Sequence, residues 1–140
     1  MNTRFLLAGL AGGLTAFMFG WLLFGVLLMD VTAGNVVPYE GLMKGPDMEF
    51  PPLVLSNLLL GFLLAWLGLR MHITTATGGL VMGAIVGFLF YASVDLSFLA
   101  MMNFFTSVGA ALFDVVANTV WTAVIAAVAC AVLGRGAKAA

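Results

Sequence analysis

The chain has 140 residues, of which 64% are hydrophobic and 8% charged, and five Lys/Arg against six Asp/Glu leave a formal charge of −1. A soluble domain carries about 25% charged residues, and an apolar surface in water aggregates, so lipid must stand where solvent normally does. Nucleic-acid binding is excluded for want of a basic patch that could displace counterions, and a disulfide framework because Cys130 has no second cysteine to pair with.

In chain order, the first apolar stretch runs from Phe5 to Met29 without a charge. It is longer than the 7–15 residues typical of a signal-peptide core, so the faint cleavage pattern Val31-Thr32-Ala33 is set aside and an uncleaved anchor is expected. A connection from Asp30 to Pro52 follows, holding Pro38, Pro46, Pro51 and Pro52 with Asp30, Glu40, Asp47 and Glu49. Connections this long are often functional or mobile. Its apolar members, among them Val36, Val37, Tyr39 and Phe50, predict a segment lying on the bundle or membrane surface, as a connector or a lid.

The second stretch, Leu53 to Leu69, is barely long enough to cross, since a span needs about 20 residues. The third, Gly78 to Met102, contains Asp95, and the fourth, Val108 to Leu133, contains Asp114. No stretch shows the alternation of barrel strands, whereas a helix satisfies its own backbone in lipid. The expectation is an all-α membrane protein: one integral domain over 1–140, a four-transmembrane-helix bundle of up-down topology. Its helices fall at about 5–29, 53–69, 78–102 and 108–133, with an outer loop at 30–52. The short turns near 71–76 and 103–107 predict antiparallel, adjacent neighbours. Arg4, Arg70, Arg135 and Lys138 fall on one side, and Lys44 with four acids on the other. The excess of cations puts both termini in the cytoplasm.

Residues four apart share a helix face. Helix 1 carries Ala8, Gly12, Ala16 and Gly20; helix 2 carries Asn57, Gly61 and Ala65. Helix 3 carries Gly79, Gly83, Gly87, Tyr91 and Asp95; helix 4 carries Asp114, Asn118, Thr122, Ala126 and Cys130. Small residues at this spacing let helices approach closely in lipid, so Gly12, Gly20, Gly61, Gly79, Gly83 and Gly87 are read as packing positions. If the ridges face inward, Asn57, Tyr91, Asp95, Asp114, Asn118 and Thr122 gather in the outer half of the bundle. An Asp in a span costs about 2.5–3.5 kcal/mol on insertion scales. Two acids with no Lys or Arg at their depth cannot both stay comfortably charged, and a shared proton, a bound cation or a water-filled cavity would relieve them. The plainer reading is a polar link that joins helices.

Other constellations are thinner. His72 is the one histidine, too few for a conventional haem or zinc site. Met29, Met43, Met48, Met101 and Met102 could bind Cu(I), but packing is the simpler account of methionine in so apolar a chain. Ser56, Ser93 and Ser97 have no histidine at their depth, which disfavours a hydrolytic triad. No cofactor or metal is expected. Gly12-Gly13-Leu14 and Gly78-Gly79-Leu80, with the endings Leu67-Gly68-Leu69-Arg70 and Leu133-Gly134-Arg135, hint at a duplicated hairpin.

The run from Gly79 through Asp95, followed by Asp114-Val115-Val116-Ala117-Asn118-Thr119-Val120 and preceded by Phe19-Gly20-Trp21-Leu22-Leu23-Phe24-Gly25, resembles small four-helix bacterial membrane proteins grouped as domains of unknown function. The resemblance implies a bacterial inner membrane and supplies no activity. The leading expectation is a non-enzymatic membrane protein that associates with itself or with a larger membrane complex. The next is a small transporter or proton/cation-coupled binding protein using Asp95 and Asp114. A binder of a lipid, quinone or pigment between the helices follows, and an intramembrane enzyme comes last.

Overall fold

The computed structural model describes residues 3–135; Lys138, counted above among the cations, lies outside them. Among the described residues there are five α-helices: α1 (Thr3–Leu22), α2 (Met29–Asn35), α3 (Phe50–Arg70), α4 (Ala76–Met101) and α5 (Val108–Arg135). Four helical stretches, α1 with its continuation to Leu27 and α3, α4 and α5, are long and apolar enough to cross a membrane.

Local chemistry sets their ends. α1 continues through a π-helical turn over Leu23–Leu27, closed by the Leu28 amide donating to the Leu23 carbonyl at 2.8 Å. The third helix in the chain begins at Phe50 rather than Leu53, with Pro51 and Pro52 inside its first turn. The prolines therefore open the helix instead of closing the loop, because first-turn amides have no intrahelical acceptor and proline lacks the amide altogether. Its other end closes on a Schellman turn: the His72 amide donates to Leu69 and the Ile73 amide to Gly68, with His72 at φ 56°. The Thr75 hydroxyl accepts from the Gly78 amide at 3.1 Å to start α4, and the Ser107 hydroxyl from Ala110 at 3.0 Å to start α5.

The connection at 30–52 is less irregular than expected. Its first residues form α2, and its middle is pinned to the turn before α5. The Val37 amide donates to the Phe104 carbonyl and the Thr106 amide to the Asn35 carbonyl, both at 2.9 Å. Phe105 is buried beneath this clasp with Ala110 and Ala111, flanked by Phe98 and Phe104. Residues 41–50 are exposed, and Lys44 forms an ion pair with Glu49 there.

α5 is the centre of the bundle. It packs against α1, α3 and α4, and α1 also packs along α3. The expectation that short turns make sequence neighbours adjacent fails for α3 and α4, which scarcely touch. The end of α5 occupies their elbow: Gly68 lies against Cys130 and Leu133, and Gly134 against Thr74. The core is a chain of small and branched residues, Ala16, Leu64, Met82, Ile125, Ala126 and Cys130. A second cluster of Ala8, Ala65, Ala129 and Leu133 lies toward the end that carries Arg4, Arg70 and Arg135.

Candidate functional site

The glycine ridges are consumed by contacts inside the chain. Gly61 sits against Gly9, Gly12 and Gly13, where a methyl on Gly61 would stand 2.6 Å from the Gly9 carbonyl oxygen. Gly20 makes room for Trp121, whose indole N–H donates to the Ala16 carbonyl at 3.0 Å and ties α5 to α1. On α4, methyls on Gly79, Gly83 and Gly87 would stand 2.7, 2.5 and 2.8 Å from the Cβ atoms of Cys130, Ala126 and Thr122. Each step of four residues up α4 thus meets a step of four down α5.

This register carries the polar residues with it. Continuing one step brings Tyr91 level with Asn118, and another brings Asp95 level with Asp114. The register that seats Gly79, Gly83 and Gly87 on α5 thus sets Tyr91, Asp95 and Asp114 along one α4–α5 seam. Asn118 donates from Nδ2 to Asp114 Oδ2 at 2.8 Å and to the Asp114 carbonyl at 3.0 Å. The Thr122 hydroxyl donates to the Asn118 carbonyl at 2.8 Å, and Thr119 to Val115 at 2.7 Å. Asp95 is 4% exposed, and its Oδ2 is buried without a hydrogen-bond partner. Such an atom forfeits its hydration for nothing in return, a penalty of about 1–3 kcal/mol or more for a charged group.

Asn57 is the predicted site residue that does not join. It is buried, but on the α1–α3 seam, where its Nδ2 donates to the Leu53 carbonyl of its own helix at 2.7 Å. The ridge argument fails there because Gly61, one turn along, faces α1 rather than α4. Trp121, which sequence reasoning passed over, does make an interhelical bond, and an aromatic with a polar atom opposite Gly20 was the available signal.

A cavity of about 110 Å³ lies in the gap between α3 and α4, lined by Leu60, Leu63, Val86, Phe90, Tyr91 and Thr122. A wider, open groove of about 450 Å³ runs between α1 and α3, lined by Leu10, Gly13, Leu14, Phe17, Val54 and Leu58. Among the described residues no cluster of three or more His, Cys, Asp or Glu could hold a metal ion.

No family model matches the chain, and neither a curated protein nor a solved structure matches it.

Proposed function

We propose that the protein is a non-enzymatic, multi-pass membrane protein whose Asp95–Asp114 pair holds an exchangeable proton, as in a small transporter or proton-coupled binding protein. The observation that carries this reading is the α4–α5 register that sets Asp95, with its unpartnered buried oxygen, level with Asp114, on stretches where the sequence has no Lys or Arg at their depth. The titratable groups facing Asp95 are Asp114 and Tyr91. α1 between Arg4 and its end, and α3 between Phe50 and Arg70, contribute none, while Asp30 on α2 is exposed. Two like charges in a medium of low dielectric repel strongly, and one shared proton removes the repulsion and supplies a donor. Intramembrane acids are by default functional.

The reading as a self-associating protein or accessory subunit loses the support it drew from the glycine ridges, since those ridges meet this chain's own atoms. The up-down arrangement, a bacterial inner membrane and cytoplasmic termini belong to the same proposal. They rest on Arg4, Arg70 and Arg135 at one end and Asp30, Glu40, Asp47 and Glu49 at the other.

Infrared spectroscopy in lipid tests the proton. At neutral pH the wild type should show the C=O stretch of a protonated carboxylic acid, shifted in D2O and lost in Asp95→Asn and in Asp114→Asn. A spectrum with carboxylate bands only, or an acid band that survives both substitutions, would overturn the proposal.

A further inference from the structure

Asp95 precedes the end of α4 by six residues, and Asp114 follows the start of α5 by six. At 1.5 Å per residue, each lies about 9 Å from the end of the seam that carries the 30–52 connection. Toward the arginine end the same seam is closed by backbone contact: a methyl on Gly83 would stand 2.6 Å from the Thr122 carbonyl oxygen. The short way out is filled by the Phe105 cluster. Phe98 and Leu99 lie one turn beyond Asp95 on the same face of α4, and Ala110 and Ala111 lie one turn before Asp114 on the same face of α5. Phe105 is buried with these four. Water at the loop end therefore meets an apolar plug one turn before it meets an acid.

Phe105 belongs to neither helix and is held from the α2 side. It pairs with Val36 in an antiparallel bridge, flanked by the two backbone bonds of the clasp. The Thr106 hydroxyl adds bonds to the Gly34 and Asn35 carbonyls, each at 3.2 Å. Thr106 is exposed, so water can take over these bonds. α2 has seven residues, too few to stand as a helix by itself. It joins α1 through the π-helical turn at Leu23–Leu27, a geometry frequent at functional sites. The Asn35 Nδ2 is buried without a partner, a donor that the closed clasp leaves unsatisfied and that opening returns to water.

We infer that Phe105 is a gate over the Asp95–Asp114 seam, and that the proton exchanges with water at the loop end only when the α2 clasp lets go. The inference rests on the proton-binding reading above and names the route and the moving part for it. The step is a plain exchange: one solvent proton replaces the one that leaves, and no other bond changes.

The test follows the acid infrared band of the full-length protein in lipid after transfer to D2O. Asn35→Cys/Thr106→Cys, in a Cys130→Ala background, links residues opposite each other across the clasp, at a Cα separation of about 5.5 Å that suits a disulfide. The oxidised lock should slow the deuterium shift of the band about tenfold or more, because the local opening is blocked. A thiol reductant should restore the faster rate. Phe105→Ala should quicken the shift severalfold without loss of the band, whereas Leu96→Ala, on the exposed flank of α4, should leave the rate unchanged. Equal rates in the oxidised and reduced lock would overturn the gate and leave the proton reading standing. So would a wild-type shift that is complete within the mixing time. Absence of the acid band would remove both. The lock decides the matter by itself where Phe105→Ala fails to fold.

Discussion

α4 and α5 are alike in outline, each apolar, each with one acid and each with a ridge of small residues every four positions. Yet half of the most apolar window of α5 is buried inside the protein, against 11% of that of α4. The difference lies in how small residues are distributed around each helix. α5 has alanines on several faces, with Ala110, Ala117, Ala123, Ala126 and Ala129 all buried, so three helices can approach it. α4 has one glycine face, flanked by buried Met82, and most of its large side chains, including Leu80, Ile85, Phe88, Leu89 and Leu96, are exposed. Lipid is as apolar as leucine, so hydrophobicity cannot decide which side of a helix is inside. Close approach decides it. The same rule explains why the two acids meet, since the one narrow face of α4 is the face that carries Asp95.

Substitutions that thicken these faces should break the comparison most severely. Gly61→Leu, at the α1–α3 crossing, should destabilise the protein by about 3 kcal/mol or more through overpacking against backbone, seen as loss of the folded peak on size-exclusion chromatography in detergent. Gly83→Leu should be nearly as severe but selective. It should part α4 from α5 while α1, α3 and α5 stay together, and a cysteine cross-link between positions 95 and 114 should then fail to form. Leu64→Ala removes a fully buried side chain and should cost about 2–5 kcal/mol, whereas Leu89→Ala on the exposed face of α4 should leave the melting temperature within error of wild type. Trp121→Phe keeps the aromatic volume but drops the bond to Ala16, and should cost about 0.6 kcal/mol, the average for interhelical bonds in membranes. The smallest effect is expected at His72, where glycine is free of the left-handed strain; His72→Gly should be neutral or stabilise by up to about 1 kcal/mol in thermal unfolding.

The four long apolar helices were legible because a long uncharged run leaves few alternatives, and so was the face of α4 that leads through Gly79, Gly83 and Gly87 to Asp95. Helix starts were less legible: Pro51 and Pro52 read as loop residues, although the first helical turn is where a missing amide is tolerated. α2 was hidden because seven residues starting at Met29 leave too little length for periodicity to register. The order of neighbours around the bundle was not legible at all. Turn length constrains where helix ends lie but not which flanks meet, and here the end of α5 takes the place between α3 and α4. For the same reason Asn57, correctly placed on a small-residue face, belongs to the α1–α3 seam instead of the acidic pair.

The account turns on whether Asp95 and Asp114 are kept for what they bind or for how they hold α4 to α5. Thermal unfolding of wild type, Asp95→Leu and Asp114→Leu in the same detergent at neutral pH separates the two. Replacing a buried ionisable pair with well-packed apolar residues often stabilises by about 1–4 kcal/mol, and groups retained for function commonly reduce stability. The account predicts that the double substitution Asp95→Leu/Asp114→Leu melts above wild type. A double substitution that melts below wild type, by less than the sum of the two single effects because either change alone already breaks the shared bond, would show that the pair is a structural link and would contradict it.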